Sequence, residues 1–141
     1  MSAAQPIILR PSCIPARERG GGVTTIPLVT RHTGATSFIN GLTRFAPGAA
    51  VQLHYHNCDE SVLLLEGEAI AEIDGEIYMI QPGDVSFIPS GIHHRFRNAS
   101  NSETMKIMWT YASIDADRTI VATGENRKID DEHGVACNVT P

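Results

Sequence analysis

Short apolar runs separated by turn residues fill the middle of the chain, and they restrict the fold more than any other feature. Asp74-Gly75 favours a two-residue hairpin turn because its backbone adopts positive φ at low cost, and Pro82-Gly83 breaks a strand equally well. Short strands at regular spacing are typical of sandwiches and barrels. The pattern predicts an all-β fold with antiparallel strands in the runs "AAVQLHYH", "SVLLLE", "AIAEI", "EIYMI", "VSFIP" and "TMKIMWTY" between Thr36 and Tyr111.

Two histidines in the segment "HYHNCDE" carry the first chemical signal. His54 and His56 lie two positions apart, and on a strand such residues point to the same side, about 6.5 to 7 Å from each other. Two imidazoles at that separation can converge on one ion, and Glu60, brought back by the turn at 57–59, can add a carboxylate oxygen. The segment therefore predicts a metal site built from one strand, one turn and the next strand.

The opposite face of the same strand is apolar. Gln52 shares the side of the two histidines by alternation, whereas Val51, Leu53 and Tyr55 lie on the other side. In a single small barrel that outer face would meet water unless something covered it. We therefore expect a homodimer, with a terminal arm of the same chain as the alternative cover.

Two spaced motifs resemble those of the cupin family. All ten defining positions are present, and chance rarely produces such a match at ordinary residue frequencies. The resemblance covers 48–98 closely, and it implies a small single-domain protein with a double-stranded β-helix (jelly-roll) barrel. The first motif consists of Gly48, His54, His56, Glu60 and Gly67, and the second of Gly83, Pro89, Gly91, His94 and Asn98.

The resemblance also implies the metal ligands, which are His54, His56, Glu60 and His94. Three nitrogens and one carboxylate suit Fe, Mn, Ni, Cu or Zn, so we expect one divalent transition metal per chain without assigning its identity. Of the adjacent pair, the spacing selects His94, and His93 then faces the opposite side. Cys58 lies in the turn between two ligands, and we expect it to be a buried thiol near the site rather than a further ligand.

An open coordination sphere indicates catalysis. Four protein ligands around an octahedral ion leave two positions for water, dioxygen or a chelating substrate. Alternation places Gln52 and Phe96, with Met108 or Trp109, on the inner face, and this mostly apolar lining favours a modest organic substrate.

We therefore predict an oxidoreductase, namely a metal-dependent dioxygenase that cleaves a small enolisable or phenolic substrate. Glu60 serves as a metal ligand in this reaction and, when it dissociates from the metal, as a base. Two alternatives stay open. One is a non-redox lyase or isomerase, which needs only the positive charge of the metal, and the other is a metal-binding or small-ligand-binding protein without turnover.

The ends of the chain are less informative than the middle. We expect one domain with an N-terminal arm and strands over residues 1–35, a barrel core over 36–112 and a C-terminal extension over 113–141. The run "RERGGG" at 17–22 lacks the spacing of a phosphate-binding loop and is interpreted as a surface loop without function. The extension is expected to hold a short helix after Ser113.

Charge and cysteine content limit the partners and the compartment. A net charge of -5 leaves no basic surface for nucleic acid or for an anionic membrane. The chain shows no export signal, and its three cysteines are an odd number with wide spacing, which does not resemble a disulfide framework. These features favour a cytoplasmic protein whose partner is a small-molecule substrate.

Overall fold

The computed structural model describes residues 4–133, and these form two antiparallel β-sheets. Apart from the strands, the described residues contain two 3-10 helices, Pro11–Cys13 and Arg31–Thr33, and one short α-helix, α1 (Ile129–His133). None of the described helices is both long and apolar enough to cross a membrane. The strands are β1 (Arg17–Gly20), β2 (Val23–Pro27), β3 (Ile39–Phe45), β4 (His54–Tyr55), β5 (Glu60–Glu66), β6 (Ala69–Ile73), β7 (Glu76–Ile80), β8 (Val85–Ile88), β9 (His94–Asn98), β10 (Met105–Tyr111), β11 (Asp117–Ile120) and β12 (Asn126–Lys128).

The two sheets have six strands each and together make a jelly-roll barrel. The first sheet has the order β1-β2-β3-β10-β5-β8, and the second has the order β12-β11-β4-β9-β6-β7. Strands that are neighbours in space are often distant in the chain, as β3 and β10 are. In a jelly roll, strands from the beginning and from the end of the barrel sequence pair with each other. The predicted all-β, double-stranded β-helix fold is confirmed.

Strand β10 shows how the residue pattern builds the barrel core. Its side chains alternate between buried and half-buried, and Ile107, Trp109 and Tyr111 point inward. Full burial of an apolar side chain of this size stabilises a fold by about 1.5 to 3 kcal/mol. The indole nitrogen of Trp109 donates to Thr43 Oγ1 at 2.8 Å, which satisfies its polar atom inside the core. Gly41 makes room for the ring, because a Cβ at Gly41 would lie 2.5 Å from it.

Two turns follow the chemistry of their residues. Asp74 and Gly75 have φ values of 52° and 82°, and they join β6 to β7 as the predicted hairpin turn. Gly67 has a φ of 87°, and a Cβ there would lie 2.8 Å from the carbonyl oxygen of Thr104. This motif glycine is therefore required by a close approach between two segments of backbone.

The run at 17–22 is not the plain surface loop expected from the sequence. Arg17–Gly20 is strand β1, and it forms a hairpin with β2 through the turn at Gly21 and Gly22. Both glycines have positive φ, so the glycine run supplies the hairpin turn that places β1 against the sheet. This corrects the loop interpretation, and the position of β1 bears on the site described below.

The C-terminal extension begins with strands rather than with a helix. Strand β11 pairs with β4, and β12 pairs with β11. The β-branched residues Thr119 and Ile120 favour extended backbone, and an unpaired edge of β4 was available to them. The short helix expected after Ser113 begins at Ile129, beyond the two strands. Residues 134–141 of the predicted extension lie outside the described residues.

Candidate metal centre

Three histidines meet inside the barrel. His54 is on β4, His56 follows that strand directly, and His94 begins β9, where it is the cross-strand partner of His54. All three side chains are buried, and one ligand atom of each lies within 4.8 Å of the ligand atoms of the other two. Their ring centroids are 4.4 to 5.0 Å apart. Side chains more than 35 residues apart in the chain thus form a compact cluster of nitrogen donors.

Backbone carbonyls orient all three imidazole rings. In each ring Nδ1 donates a hydrogen bond to a carbonyl oxygen, which leaves Nε2 as the nitrogen that faces the centre of the cluster. Outer hydrogen bonds of this kind fix ring orientation in metal-binding histidines. The bonds run from His54 to Gln52 at 2.6 Å, from His56 to Asp117 at 2.7 Å and from His94 to Ile92 at 2.8 Å.

Glu60, at the start of β5, reaches the same cluster. Its Oε1 atom lies 2.9 Å from Nε2 of His94 and 3.2 Å from Nε2 of His56. The group of donors that all lie within 4.8 Å of one another does not include Glu60, so the carboxylate contacts two of the histidines rather than all three. Burial alone raises the pKa of the Glu60 carboxyl, but the contacts and charges of His56 and His94 outweigh it and hold the pKa well below its usual range.

The donor set fits a divalent transition metal. Burial lowers the pKa of His54 well below its ordinary value, and the positive charge of Arg118 lowers it further, so this imidazole is neutral and its lone pair is available. Nε2 of His56 is buried, and although Glu60 Oε1 lies 3.2 Å away, the nitrogen forms no hydrogen bond of good geometry with any of residues 4–133. A buried nitrogen without a hydrogen bond is costly in a folded protein unless something else satisfies it. Imidazole nitrogens of this kind suit Fe, Mn, Ni, Cu and Zn alike.

The C-terminal extension holds the loop that carries His56. Asn57 and Asp117 exchange hydrogen bonds: the backbone nitrogen of each donates to the side chain of the other, at 3.1 and 3.0 Å. Asp117 also supplies the carbonyl that orients His56. On the other side of the turn, the Asp59 carboxylate accepts from the backbone nitrogen of Ser90 at 3.0 Å. Hydrogen bonds therefore fix the position of the turn at 57–59 at both of its ends.

Aromatic rings surround the histidine cluster. Phe96 is buried with its ring centroid 6.5 Å from that of His94, and Trp109 is buried in the core next to Tyr111. Met108 lies on the opposite face of β10 from Trp109, so of the pair expected from alternation only Trp109 points inward. Sequence reasoning missed Tyr111, whose ring lies 4.6 Å from that of His56, although it shares the inward face of Trp109 two positions earlier.

Gln52 does not follow the alternation that was assumed for it. The strand that contains His54 is only two residues long, and Gln52 precedes it in irregular backbone with an exposed side chain. It lines a cavity of about 400 Å³ that leads to His54 and is also bordered by Arg19 and Arg118. The sequence pattern gave no indication of either arginine, because β1 and β11 are remote from the motif.

Cys58 and His93 lie close to the cluster in sequence but outside it. Cys58 is half-buried against the hydrophobic core, and burial raises the pKa of its thiol to about 11. The thiol is therefore protonated at neutral pH and is a poor ligand. His93 is exposed and stacks on Tyr55, with ring centroids 5.0 Å apart.

A jelly-roll barrel with three buried histidines facing one another belongs to the class of small β-barrel proteins that can hold a metal ion in the interior. The family model described as "Cupin domain" matches residues 41–111, which is half of the chain. The protein therefore belongs to the cupin family.

Known proteins similar to this chain include enzymes. Polyketide synthase CurC of Streptomyces cyaneus is 35% identical over 94 residues, which cover 66% of this chain and 60% of CurC. Quercetin 2,3-dioxygenase of Bacillus subtilis is 36% identical over 93 residues, which cover 62% of this chain and 27% of that enzyme. The matched region thus spans less than two thirds of either relative.

A solved structure supports the same fold. The polyketide cyclase RemF of Streptomyces resistomycificus superimposes with a TM-score of 0.71 at 19% identity, and the match covers 89% of this chain and 86% of that one. At this identity the likeness concerns the arrangement of the strands.

Proposed function

We propose that the protein is a metal-dependent enzyme that acts on a small enolisable or phenolic substrate. The observation that carries the proposal is the cluster of His54, His56 and His94, in which three buried rings turn Nε2 toward one another. We assign these histidines and Glu60 as the ligands of one divalent transition metal per chain. The carboxylate contributes the negative charge that lets a cation stay in a buried site.

The residues around the centre have distinct tasks in this proposal. A divalent ion held there would supply positive charge that stabilises an enolate or phenolate oxygen. Glu60 is ionised because its pKa is low, so it serves as an anionic ligand. A base role for Glu60 requires that it leave the ion and the contacts with His56 and His94 that keep its pKa low. Phe96 and Tyr111 exclude water from two sides of the cluster, which strengthens electrostatic interactions within it.

The relatives support two types of reaction. CurC and RemF, one named as a polyketide synthase protein and the other as a polyketide cyclase, favour non-redox chemistry on an enolisable carbonyl compound. Such chemistry needs proton removal and charge stabilisation but no oxidant. Quercetin 2,3-dioxygenase favours the second candidate, oxidative cleavage with dioxygen as co-substrate, which is the reaction expected from the sequence. We place the non-redox reaction first because the match covers 60% of CurC but only 27% of quercetin 2,3-dioxygenase.

An assay with and without oxygen tests this order. Acetylacetone is a simple enolisable dicarbonyl compound, and exchange of its central hydrogens for deuterium can be followed by NMR under nitrogen. We expect wild type to accelerate the exchange and the His56→Ala, His94→Ala double variant to lose the acceleration. Oxygen uptake with catechol or acetylacetone, together with no accelerated exchange under nitrogen, would favour the dioxygenase instead. Absence of both activities would leave the protein as a binding protein.

We also propose that the protein is a homodimer, although not through the face expected from the sequence. That face is half-buried within the chain itself, since Val51 packs against the core and Tyr55 stacks on His93. Half of the large exposed apolar side chains among the described residues are instead on β7 and β8, where Met79 and Phe87 are 65% and 67% exposed.

A second copy of the chain fits the surface formed by β7 and β8. These are the terminal strands of the two sheets, so each has an edge that no other strand within residues 4–133 pairs with. Exposed apolar edge strands rarely stay uncovered in natural proteins. A two-fold symmetric contact would bury the same side chains on both copies at once. The cytoplasmic location expected from cysteine usage and charge remains part of this proposal.

A further inference from the structure

We propose that Asn57 and Asp117 are positioning residues that couple metal binding at His56 to the docking of β11 on β4. The inference rests on the metal centre proposed above and goes beyond it, because it makes the C-terminal extension part of that centre. Its consequence is that metal binding and docking of the extension stabilise each other.

His56 differs from the other two histidines in what orients its ring. The rings of His54 and His94 each donate from Nδ1 to the carbonyl oxygen two positions earlier in the chain. The His56 ring instead donates to the carbonyl oxygen of Asp117, 61 positions away, at 2.7 Å. Two of the rings are thus oriented within their own segments, whereas the orientation of the third depends on where the extension lies.

Hydrogen bonds in both directions join Asn57 to the extension. The Asn57 side chain accepts from the backbone nitrogen of Asp117 at 3.0 Å and donates to the carbonyl oxygen of Asp115 at 3.2 Å. In return, the Asp117 carboxylate accepts from the backbone nitrogen of Asn57 at 3.1 Å. These bonds hold the backbone that carries the Asp117 carbonyl beside the residue that directly follows His56.

The strand that carries Asp117 also forms part of the cavity in front of His54. Strand β11 pairs with β4 over only two residues, so the contacts of Asn57 add substantially to the attachment between them. Ile120, on the same strand, lines the cavity of about 400 Å³ that reaches His54. The position of β11 therefore determines both the orientation of one ligand and one wall of the cavity.

The buried nitrogen of His56 supplies the energetic link. Its Nε2 atom forms no hydrogen bond of good geometry with any of the described residues, so a bound ion provides the partner that it lacks. An ion that binds the ring as Asp117 holds it stabilises the docked position of β11. Coupling of this kind is reciprocal, so the docked extension raises the affinity for the metal by the same factor.

The affinity for Zn(II) tests the role of Asn57. Competition with a chelator measures it at one fixed pH, because metal affinity depends on pH. We expect Asn57→Ala to bind Zn(II) about tenfold more weakly than wild type, as is typical when a group that orients a ligand is lost. Asp117→Ala should also weaken binding, whereas Asp117→Asn should retain the wild-type affinity because its amide oxygen still accepts from the backbone nitrogen of Asn57.

Asn126→Ala is the matched control. It removes a side-chain hydrogen bond of 2.9 Å to Thr119 within the same extension but away from His56, and it should keep the wild-type affinity for Zn(II). The absorption spectrum of the Co(II)-loaded protein reports the geometry of the ligands, and it should change in Asn57→Ala but not in Asn126→Ala. A merely structural role of Asn57 would lower the melting temperature of the metal-free protein and leave the affinity and the spectrum unchanged.

Hydrogen exchange on wild type requires no variant to fold. Saturating Zn(II) should slow amide exchange in residues 115–121 at least about fivefold, the lower end of typical coupling between two sites. Exchange in β7, an edge strand that carries no ligand, should slow by a smaller factor.

The outcomes separate this coupling from the proposals on which it rests. Unchanged Zn(II) affinity in Asn57→Ala, or equal slowing of exchange in residues 115–121 and in β7, would overturn the coupling and leave the metal centre in place. A wild type that binds no metal would overturn both. Absence of turnover, with metal affinities in the expected order, would support the coupling and refute the proposed enzymatic function alone.

Discussion

Two regions of the molecule differ in opposite ways from the usual burial of apolar and exposure of polar side chains. One is the interior around β4 and β9, and the other is the outer edge at β7 and β8. In the interior, His54, Glu60 and His94 are polar yet at most 5% exposed. At the edge, Met79 and Phe87 are apolar yet about two-thirds exposed. Folding stability alone favours neither arrangement, because buried polar groups lose hydration and exposed apolar groups gain nothing from the core.

The difference indicates two kinds of recognition. The polar interior is pre-organised, since each histidine ring is held by a backbone carbonyl before anything binds. The apolar edge instead exposes side chains of β7 and β8, whose outer edges no other described strand pairs with, and this suits a macromolecule rather than a small ligand. Variants that change one region should therefore leave the behaviour of the other intact.

The largest expected effect is the loss of metal from the interior. Elemental analysis of purified wild type should find about one transition-metal ion per chain. The double variant His56→Ala, His94→Ala should fall to background, because too few nitrogen donors remain. His93→Ala, which changes the exposed neighbour of a ligand, should keep the wild-type content. Equal metal content in the double variant and in wild type would show that these histidines do not form a metal centre.

The second effect concerns the β7–β8 edge. Met79→Lys combined with Phe87→Lys should weaken dimerisation about a hundredfold, since each substitution places a charge where apolar surface would be buried. Analytical ultracentrifugation over a range of concentrations measures the change. Ile8→Lys, at an apolar residue that is 76% exposed elsewhere, is the matched control. A wild type that stays monomeric, or a double variant that dimerises normally, would contradict the assigned interface.

The third effect is a loss of stability of the metal-free protein in mild acid. The pKa of His54 is well below 6.5 in the folded state, mainly because of burial. Below about pH 6.5 the unfolded chain therefore binds a proton that the folded chain does not, and the free energy of unfolding decreases as the pH falls.

Each pH unit below that point should cost up to about 1.4 kcal/mol. Denaturant titrations at about pH 7 and about pH 5.5 measure the slope, and His54→Gln should reduce it. Glu60 contributes in a different window, because its lowered pKa gives stability above about pH 4.5 that is lost only in stronger acid. A slope in His54→Gln equal to that of wild type would show that another group titrates.

The smallest effect is expected from Cys58. Replacement of this half-buried thiol by alanine should cost less than about 1 kcal/mol of stability and leave the metal content unchanged. Its pKa of about 11 keeps the sulfur protonated at neutral pH. A marked drop in bound metal in Cys58→Ala would place the thiol among the ligands after all.

Features with a local cause were predictable from the sequence. The hairpin at Asp74-Gly75 follows from the backbone freedom of those two residues, and alternation along "TMKIMWTY" gave the inward face of β10. The same reasoning failed at Gln52, because alternation holds only while the backbone stays extended and β4 is just two residues long. Prediction of the β1 hairpin failed for a related reason: glycines that form its turn are equally common in irregular loops.

By itself the sequence determined the strands β5 to β8 and β10, the turn at Asp74-Gly75 and the spacing of the histidine motif, all of which depend on residues a few positions apart. Only the tertiary structure decided which distant groups surround that motif. Asp117 orients His56 from 61 positions away, and Arg118 reaches the cavity beside His54 from the strand that the extension adds to β4. Such contacts depend on how strands pair across the barrel, and a carbonyl oxygen that orients a ring can come from any residue, so neither leaves a pattern in the local sequence.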